Sequence, residues 1–80
     1  MENKALFDKF VLSDLEFRLG WNFARAKDNF SEAIIHLERA KTYDQDNDEI
    51  RVKLGVILYR EFGNKEGAIQ ELREALRLDS

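Results

Sequence analysis

The residue pattern closest to a ligand-binding site is the acidic run Asp44, Asp46 and Asp48. Its alternate spacing matches the opening of a calcium-binding loop, in which carboxylate oxygens ligate the ion. Such a loop then requires glycine at its sixth position and a bidentate glutamate at its twelfth. The chain instead has Glu49 and Gly55 at these two positions. The acidic run therefore predicts a capped, solvated turn and no calcium site.

The other candidates for acid–base or metal chemistry are the lone histidine, His36, and the carboxylates of Glu71 and Glu74. The sequence has no cysteine and no second histidine that could join His36 in a metal site. We therefore expect His36 to be a partly exposed surface residue, and Glu71 and Glu74 to be solvated on a charged helix face. No Ser-His-acid constellation, glycine-rich phosphate loop or zinc signature is present in the sequence. The sequence thus predicts no catalytic residue, no metal, no cofactor and no enzyme activity.

Length and charge limit the remaining functions. The 80 residues make one small domain with a net charge of −3 and interspersed acids and bases. This balance argues against nucleic acid or an anionic membrane as the partner, because both require a basic patch. No apolar stretch approaches the roughly 18 residues that span a bilayer, and residues 1–12 lack a cleavage signature. We take a cytoplasmic location as the default.

The chain resembles itself at an offset of 35 residues. The segments that recur are Leu19-Gly20 as Leu54-Gly55, Ala33-Ile34 as Ala68-Ile69, and Leu37, Ala40 and Asp44 as Leu72, Ala75 and Asp79. A fixed period of this length indicates a repeat architecture, which commonly presents a surface to partners. We divide the chain into an N-terminal segment of residues 1–12 and repeats over 13–45 and 46–80.

The chain has no proline, and its capping residues and hydrophobic periodicity predict an all-α fold. The capping-box pattern of Ser13 and Glu16 predicts a helix start at Asp14, Asn29 a second start, and Gly63 a left-handed C-terminal cap. Short turns require antiparallel helix-turn-helix pairs. The predicted helices cover 14–27, 30–43, 48–62 and 65–78, preceded by an N-terminal helix or arm. The expected core residues are Leu19, Phe23, Leu37, Leu54, Leu58 and Leu72, while Leu15 and Ala26 continue the packed face of the first helix.

The pattern of these residues resembles that of the tetratricopeptide repeat (TPR) family. Its pattern is matched by Leu19-Gly20-x-x-Phe23 with Ala33-x-x-x-Leu37, and by Leu54-Gly55-x-x-Leu58 with Ala68-x-x-x-Leu72. The family's tryptophan before Leu-Gly falls on Glu16 and Arg51 here, and each unit is one residue longer than usual. The resemblance implies a right-handed solenoid whose first helices line a concave, protein-binding surface.

Carried onto this chain, that surface holds six residues of the two first helices: Phe17, Trp21, Ala24, Val52, Val56 and Tyr59. Helical spacing alone selects the same residues, because they are rotated away from the expected core faces. An apolar groove of this kind suits a protein or peptide with an apolar segment. Alternatively, Phe7 and Phe10 fill the groove, the chain is a homo-oligomerisation unit whose grooves pair, or it is an excised or engineered unit of a longer TPR protein.

Overall fold

A computed structural model describes residues 2–27 and 29–79, with side chains described for 8–26 and 29–79. The described residues form four α-helices and no strand, which confirms the all-α prediction. The helices are α1 (Glu2–Lys27), α2 (Phe30–Tyr43), α3 (Asp48–Phe62) and α4 (Lys65–Leu78). The chain divides into two units, Met1–Gln45 with α1 and α2, and Asp46–Ser80 with α3 and α4.

The ends of three helices follow the signals in the sequence. Asn29, Asn47 and Asn64 are the N-caps of α2, α3 and α4, and each accepts a hydrogen bond from a backbone N–H of the first turn. Gly63 ends α3 with a φ of 64°, the left-handed conformation that glycine adopts without a Cβ penalty. The predicted bounds of α2, α3 and α4 are therefore confirmed.

The predicted start of the first helix at Asp14 is wrong. α1 is continuous from Glu2 to Lys27, so the described part of the N-terminal segment is helix and not an arm. The Ser13 hydroxyl does not cap a helix, but donates a hydrogen bond of 2.9 Å to the Ala40 carbonyl oxygen of α2. A serine with an acidic residue three positions later is only a local signal, and here the tertiary contact with α2 uses the hydroxyl instead.

Small residues bring the two helices of each unit together in antiparallel pairs. In the first unit, Ser13 contacts Ala40, and Gly20, about two turns further along α1, lies against Ala33 and Leu37. In the second unit, Gly55 lies against Ala68 and Leu72, which occupy the corresponding positions 35 residues later. The fully buried side chains include Ala33, Leu37, Ala40, Ile50 and Leu54. Both units thus use the same packing scheme.

The predicted core is correct for Leu37 and Leu54 but wrong for part of α1 and α4. Leu15 and Leu19 are 58% and 45% exposed, and Leu72 is 36% exposed. Residues Phe23 and Leu58 are half-buried, and Ala26 is exposed. The face of α1 that packs on α2 instead runs through Ser13, Gly20 and Ala24. Periodicity identifies an apolar face, but α1 has more than one, and only packing decides which face is covered.

Candidate interaction surfaces

The aromatic surface of α1 consists of Phe17 and Trp21, both half-buried. Together with Arg18, Asn22 and Arg25 they line an open groove of about 320 Å³. Arg18 is also 3.0 Å from the carboxylate of Asp14, and both side chains of this ion pair are largely exposed. The surface thus combines aromatic and arginine side chains, both of which are enriched at protein interfaces.

Ala24, the third residue predicted for this surface, lies elsewhere. It is 8% exposed and follows Gly20 by one turn on the buried face of α1. A buried alanine offers little area to a partner. Residues three apart lie near each other on a helix, which is why spacing groups Ala24 with Trp21, but Ala24 lies on the buried face and Trp21 lies beside it.

The three residues predicted on α3 share one face of the second unit. Val52 is 38% exposed, Val56 is half-buried and Tyr59 is 54% exposed. They follow one another at intervals of four and three residues, so their side chains form a line along the helix. Each unit therefore carries part of the predicted set on its own first helix.

A further apolar surface was missed at the sequence level. We name it the leucine ridge: Leu12, Leu15 and Leu19, which are 42%, 58% and 45% exposed on α1. A smaller groove of about 170 Å³ adjoins its end and is lined by Leu19, Asn22, Phe23 and Ala26. The 3-4 spacing of these leucines is visible in the sequence, but spacing alone assigns Leu15 and Leu19 to the core face and does not show that the ridge is exposed.

The apolar side chains of α4 divide into a buried set and an exposed set. Ala68 and Ala75 are buried, whereas Ile69 and Leu76 are 47% and 72% exposed. The alanines face α3, where close backbone approach requires small side chains. The larger Ile69 and Leu76 lie on the outside of the second unit, whereas Leu72 lies against Gly55 with part of its side chain exposed.

His36 is largely covered rather than a surface histidine. Its side chain is 12% exposed and its ring stacks on Phe23, with the ring centroids 5.5 Å apart and an interplanar angle of 2°. Nδ1 lies 2.6 Å from Glu16 Oε1, and Nε2 lies 3.6 Å from Glu32 Oε2. Glu16 is on α1 and Glu32 on α2, so the ring links the two helices of its unit.

The second unit has a bridge at the corresponding positions. Arg51 Nη1 donates a hydrogen bond of 3.3 Å to Glu71 Oε1, and the two side chains are 15% and 14% exposed. The expectation that Glu71 is solvated is therefore wrong, because its carboxylate is held between α3 and α4. Glu74, one turn further along α4, pairs instead with Arg77 on the surface.

The hydrogen bond from Arg77 holds the pKa of the Glu74 carboxyl below its ordinary value, and the charge of Arg77 acts in the same direction. The same contact raises the pKa of Arg77. Both groups lie on the surface of the second unit. They form a local i, i+3 helix pair, unlike the interhelical bridge between Arg51 and Glu71.

The acidic run forms the turn between α2 and α3, as predicted. Asn47 within it accepts hydrogen bonds from the N–H groups of Glu49 and Ile50, and Asp48 is the first residue of α3. Across the described part of the chain, no group of three or more His, Cys, Asp or Glu side chains is placed to hold a metal ion. In the same residues no helix combines the length and the apolar character needed to cross a bilayer.

No protein-family model, no curated protein and no solved structure matches this chain.

Proposed function

We propose that the chain is a protein–protein interaction module, a TPR-like right-handed solenoid of two units that binds an apolar helix or peptide segment in a concave groove. The internal repeat supports this proposal, because Gly20 and Gly55 contact equivalent residues in two helical pairs of the same design. Helical repeats present first-helix side chains to partners rather than building a catalytic pocket. The partner-facing residues we propose are Phe17 and Trp21 on α1, and Val52, Val56 and Tyr59 on α3.

The observation that carries the proposal is the aromatic surface of α1. Trp21 contributes a large, rigid contact area at low entropic cost, as is typical of residues that dominate binding energy. Its groove with Phe17 is open to solvent and flanked by two arginines. A partner that inserts an apolar side chain there gains burial without the cost of ordering a flexible loop.

The test compares two truncations on different faces of α1. Trp21→Ala removes the aromatic surface, and we expect it to weaken partner binding more than tenfold while far-UV circular dichroism stays unchanged. Leu15→Ala is the control, because it removes an exposed apolar side chain of the same helix from the leucine ridge. Affinity is measured by titration with the partner recovered by crosslinking to the parent chain.

The reverse pattern would remove Trp21 from the site. If Leu15→Ala weakened binding and Trp21→Ala did not, the leucine ridge would be the partner surface. Equal loss in both variants, with helicity lost as well, would indicate a general effect on the fold and would count against a defined groove.

The leucine ridge favours a second candidate function, homo-oligomerisation. Leu12, Leu15 and Leu19 repeat at the 3-4 spacing of a coiled-coil seam, on a helix that is 26 residues long, whereas α2 has 14. Two copies could bury their ridges against each other. Light scattering over a hundredfold range of protein concentration separates the two functions. A constant monomer mass contradicts self-association, and a stable dimer that Leu15→Ala dissociates supports it.

A further inference from the structure

The two interhelical bridges occupy the same positions in the repeat but have opposite polarity. Residues 16 and 51 correspond at the 35-residue offset, as do residues 36 and 71. In the first unit the acid, Glu16, is on the first helix and its partner His36 is on the second. In the second unit the acid, Glu71, is on the second helix and its partner Arg51 is on the first.

The apolar contacts of the two units do not show this difference. Gly20 and Gly55 correspond, and the apolar residues that lie against them, Ala33 with Leu37 and Ala68 with Leu72, are identical in type. These small and apolar residues do not distinguish α2 from α4 as the packing partner of α1. Two similar repeats in one chain therefore create a competing set of helix pairings with nearly the same shape.

We propose that the inverted bridges specify which helices pair. If α1 packed on α4 in the register of a native unit, Glu16 would face Glu71 in a site where the native side chains are 22% and 14% exposed. Two carboxylates in such a covered position repel each other and lose the partners, His36 and Arg51, that they have in the native units. If α3 packed on α2, Arg51 would face His36, and neither bridge to a carboxylate would remain.

The inference depends on placement rather than on the strength of either bridge. A half-buried ion pair often adds little net stability, since desolvation offsets the attraction. Its effect on specificity is larger, because the mismatched state leaves like charges in contact. The bridges would thus act against the alternative pairings more than in favour of the native one. This reasoning does not rest on the proposed binding function.

The test makes the two bridges alike. In the matched variant, Glu16→Arg with His36→Glu, both units have arginine on the first helix and glutamate on the second. In this variant the native helix pairs keep a bridge between arginine and glutamate, but the pairing of α1 with α4 would now form such a bridge too. In the inverted variant, the same two substitutions are combined with Arg51→Glu and Glu71→Arg. This variant carries more substitutions but restores opposite polarity.

The readout is a disulfide that reports the non-native pairing of α1 with α4. The chain has no cysteine of its own. Ser13 contacts Ala40 in the native first unit, and Ala75 is the residue of α4 that corresponds to Ala40. Ser13→Cys with Ala75→Cys is therefore introduced into the parent, the matched variant and the inverted variant. Each is refolded from urea under oxidising conditions at low concentration, and the linked peptides are quantified by mass spectrometry.

We expect the matched variant to form this disulfide roughly threefold more often than the parent, and the inverted variant to return to the parent level. A matched variant that loses helical circular dichroism while the inverted variant keeps it would also support the proposal, since only polarity separates them. Equal disulfide yields in all three proteins would overturn it. A similar rise or a similar loss of helicity in both variants would also overturn it, because the effect would then follow the substitutions and not their polarity.

Discussion

Replacing each of the two corresponding glycines by alanine should have different effects on stability. A Cβ at position 20 would lie 3.0 Å from the Ala33 carbonyl oxygen, 3.1 Å from His36 Cβ and 3.2 Å from Leu37 Cγ. These neighbours are rigid, since one is backbone, one is a Cβ and Leu37 is fully buried. A Cβ at position 55 would lie 3.0 Å from Leu72 Cγ and 3.3 Å from the Ala68 carbonyl oxygen. Leu72 is 36% exposed and can turn outward.

Two opposing contributions set the magnitude. Alanine is favoured over glycine in a helix interior by about 1 kcal/mol. Overpacking a well-filled contact costs about 1–3 kcal/mol. At position 20 the full cost applies, so Gly20→Ala should destabilise the first unit by about 1 kcal/mol. At position 55 the nearest side chain can move, so Gly55→Ala should leave the second unit unchanged or stabilise it by up to about 1 kcal/mol.

Urea unfolding with two probes measures the difference. The single tryptophan, Trp21, lies on α1 and reports the first unit by fluorescence, while far-UV circular dichroism reports the helices of both units. Gly20→Ala should shift the fluorescence midpoint to lower urea, and Gly55→Ala should not. The reasoning is refuted if Gly20→Ala is at least as stable as the parent, or if Gly55→Ala loses more stability than Gly20→Ala.

Two further predictions concern single polar contacts. Ser13→Ala removes a buried hydrogen bond to the Ala40 carbonyl and should lower the free energy of unfolding of the first unit by about 1 kcal/mol, measured by Trp21 fluorescence in urea. The exposed control Ser31→Ala should not, and equal effects of the two would contradict the role of this bond. Arg77→Gln should destabilise the second unit near neutral pH, because Arg77 lowers the pKa of Glu74 and such a group stabilises the fold above its unfolded pKa. This difference should disappear as the pH falls below the ordinary glutamate value of 4.5 and through the lowered pKa, and thermal melts at both ends of this range check it.

Much of the fold follows from local signals in the sequence. The N-caps at Asn29 and Asn64 and the left-handed Gly63 are short-range features, and they set the ends of α2, α3 and α4 correctly. The start of α1 was predicted wrongly, because Ser13 carries a cap signature yet its hydroxyl bonds to Ala40. The Ser13 hydroxyl can either cap a helix or form a hydrogen bond to a neighbouring helix. Its tertiary neighbours decide between the two, and a local sequence pattern contains no information about them.

The candidate surfaces were predicted less completely than the helices. Spacing placed Phe17 and Trp21 on one face of α1, and the structure leaves both half-buried beside an open groove. The same spacing assigned Leu15 and Leu19 to the core, although they are exposed, and Ala24 to the surface, although it is buried. The leucine ridge, the buried face and the aromatic surface of α1 share the helical periodicity, so periodicity alone does not show which of them is buried.

What the sequence by itself determined is the repeat and the bounds of α2, α3 and α4, because these depend on residue identity at fixed local spacing. What only the tertiary structure decided is which face of α1 meets α2, and that His36 and Glu71 lie in interhelical bridges instead of in solvent. Both outcomes depend on the approach of helices that are close in space but about 20 residues apart in the chain. Such contacts are set by the packing of small residues such as Gly20 and Ala33, which determines which side chains are brought to face each other.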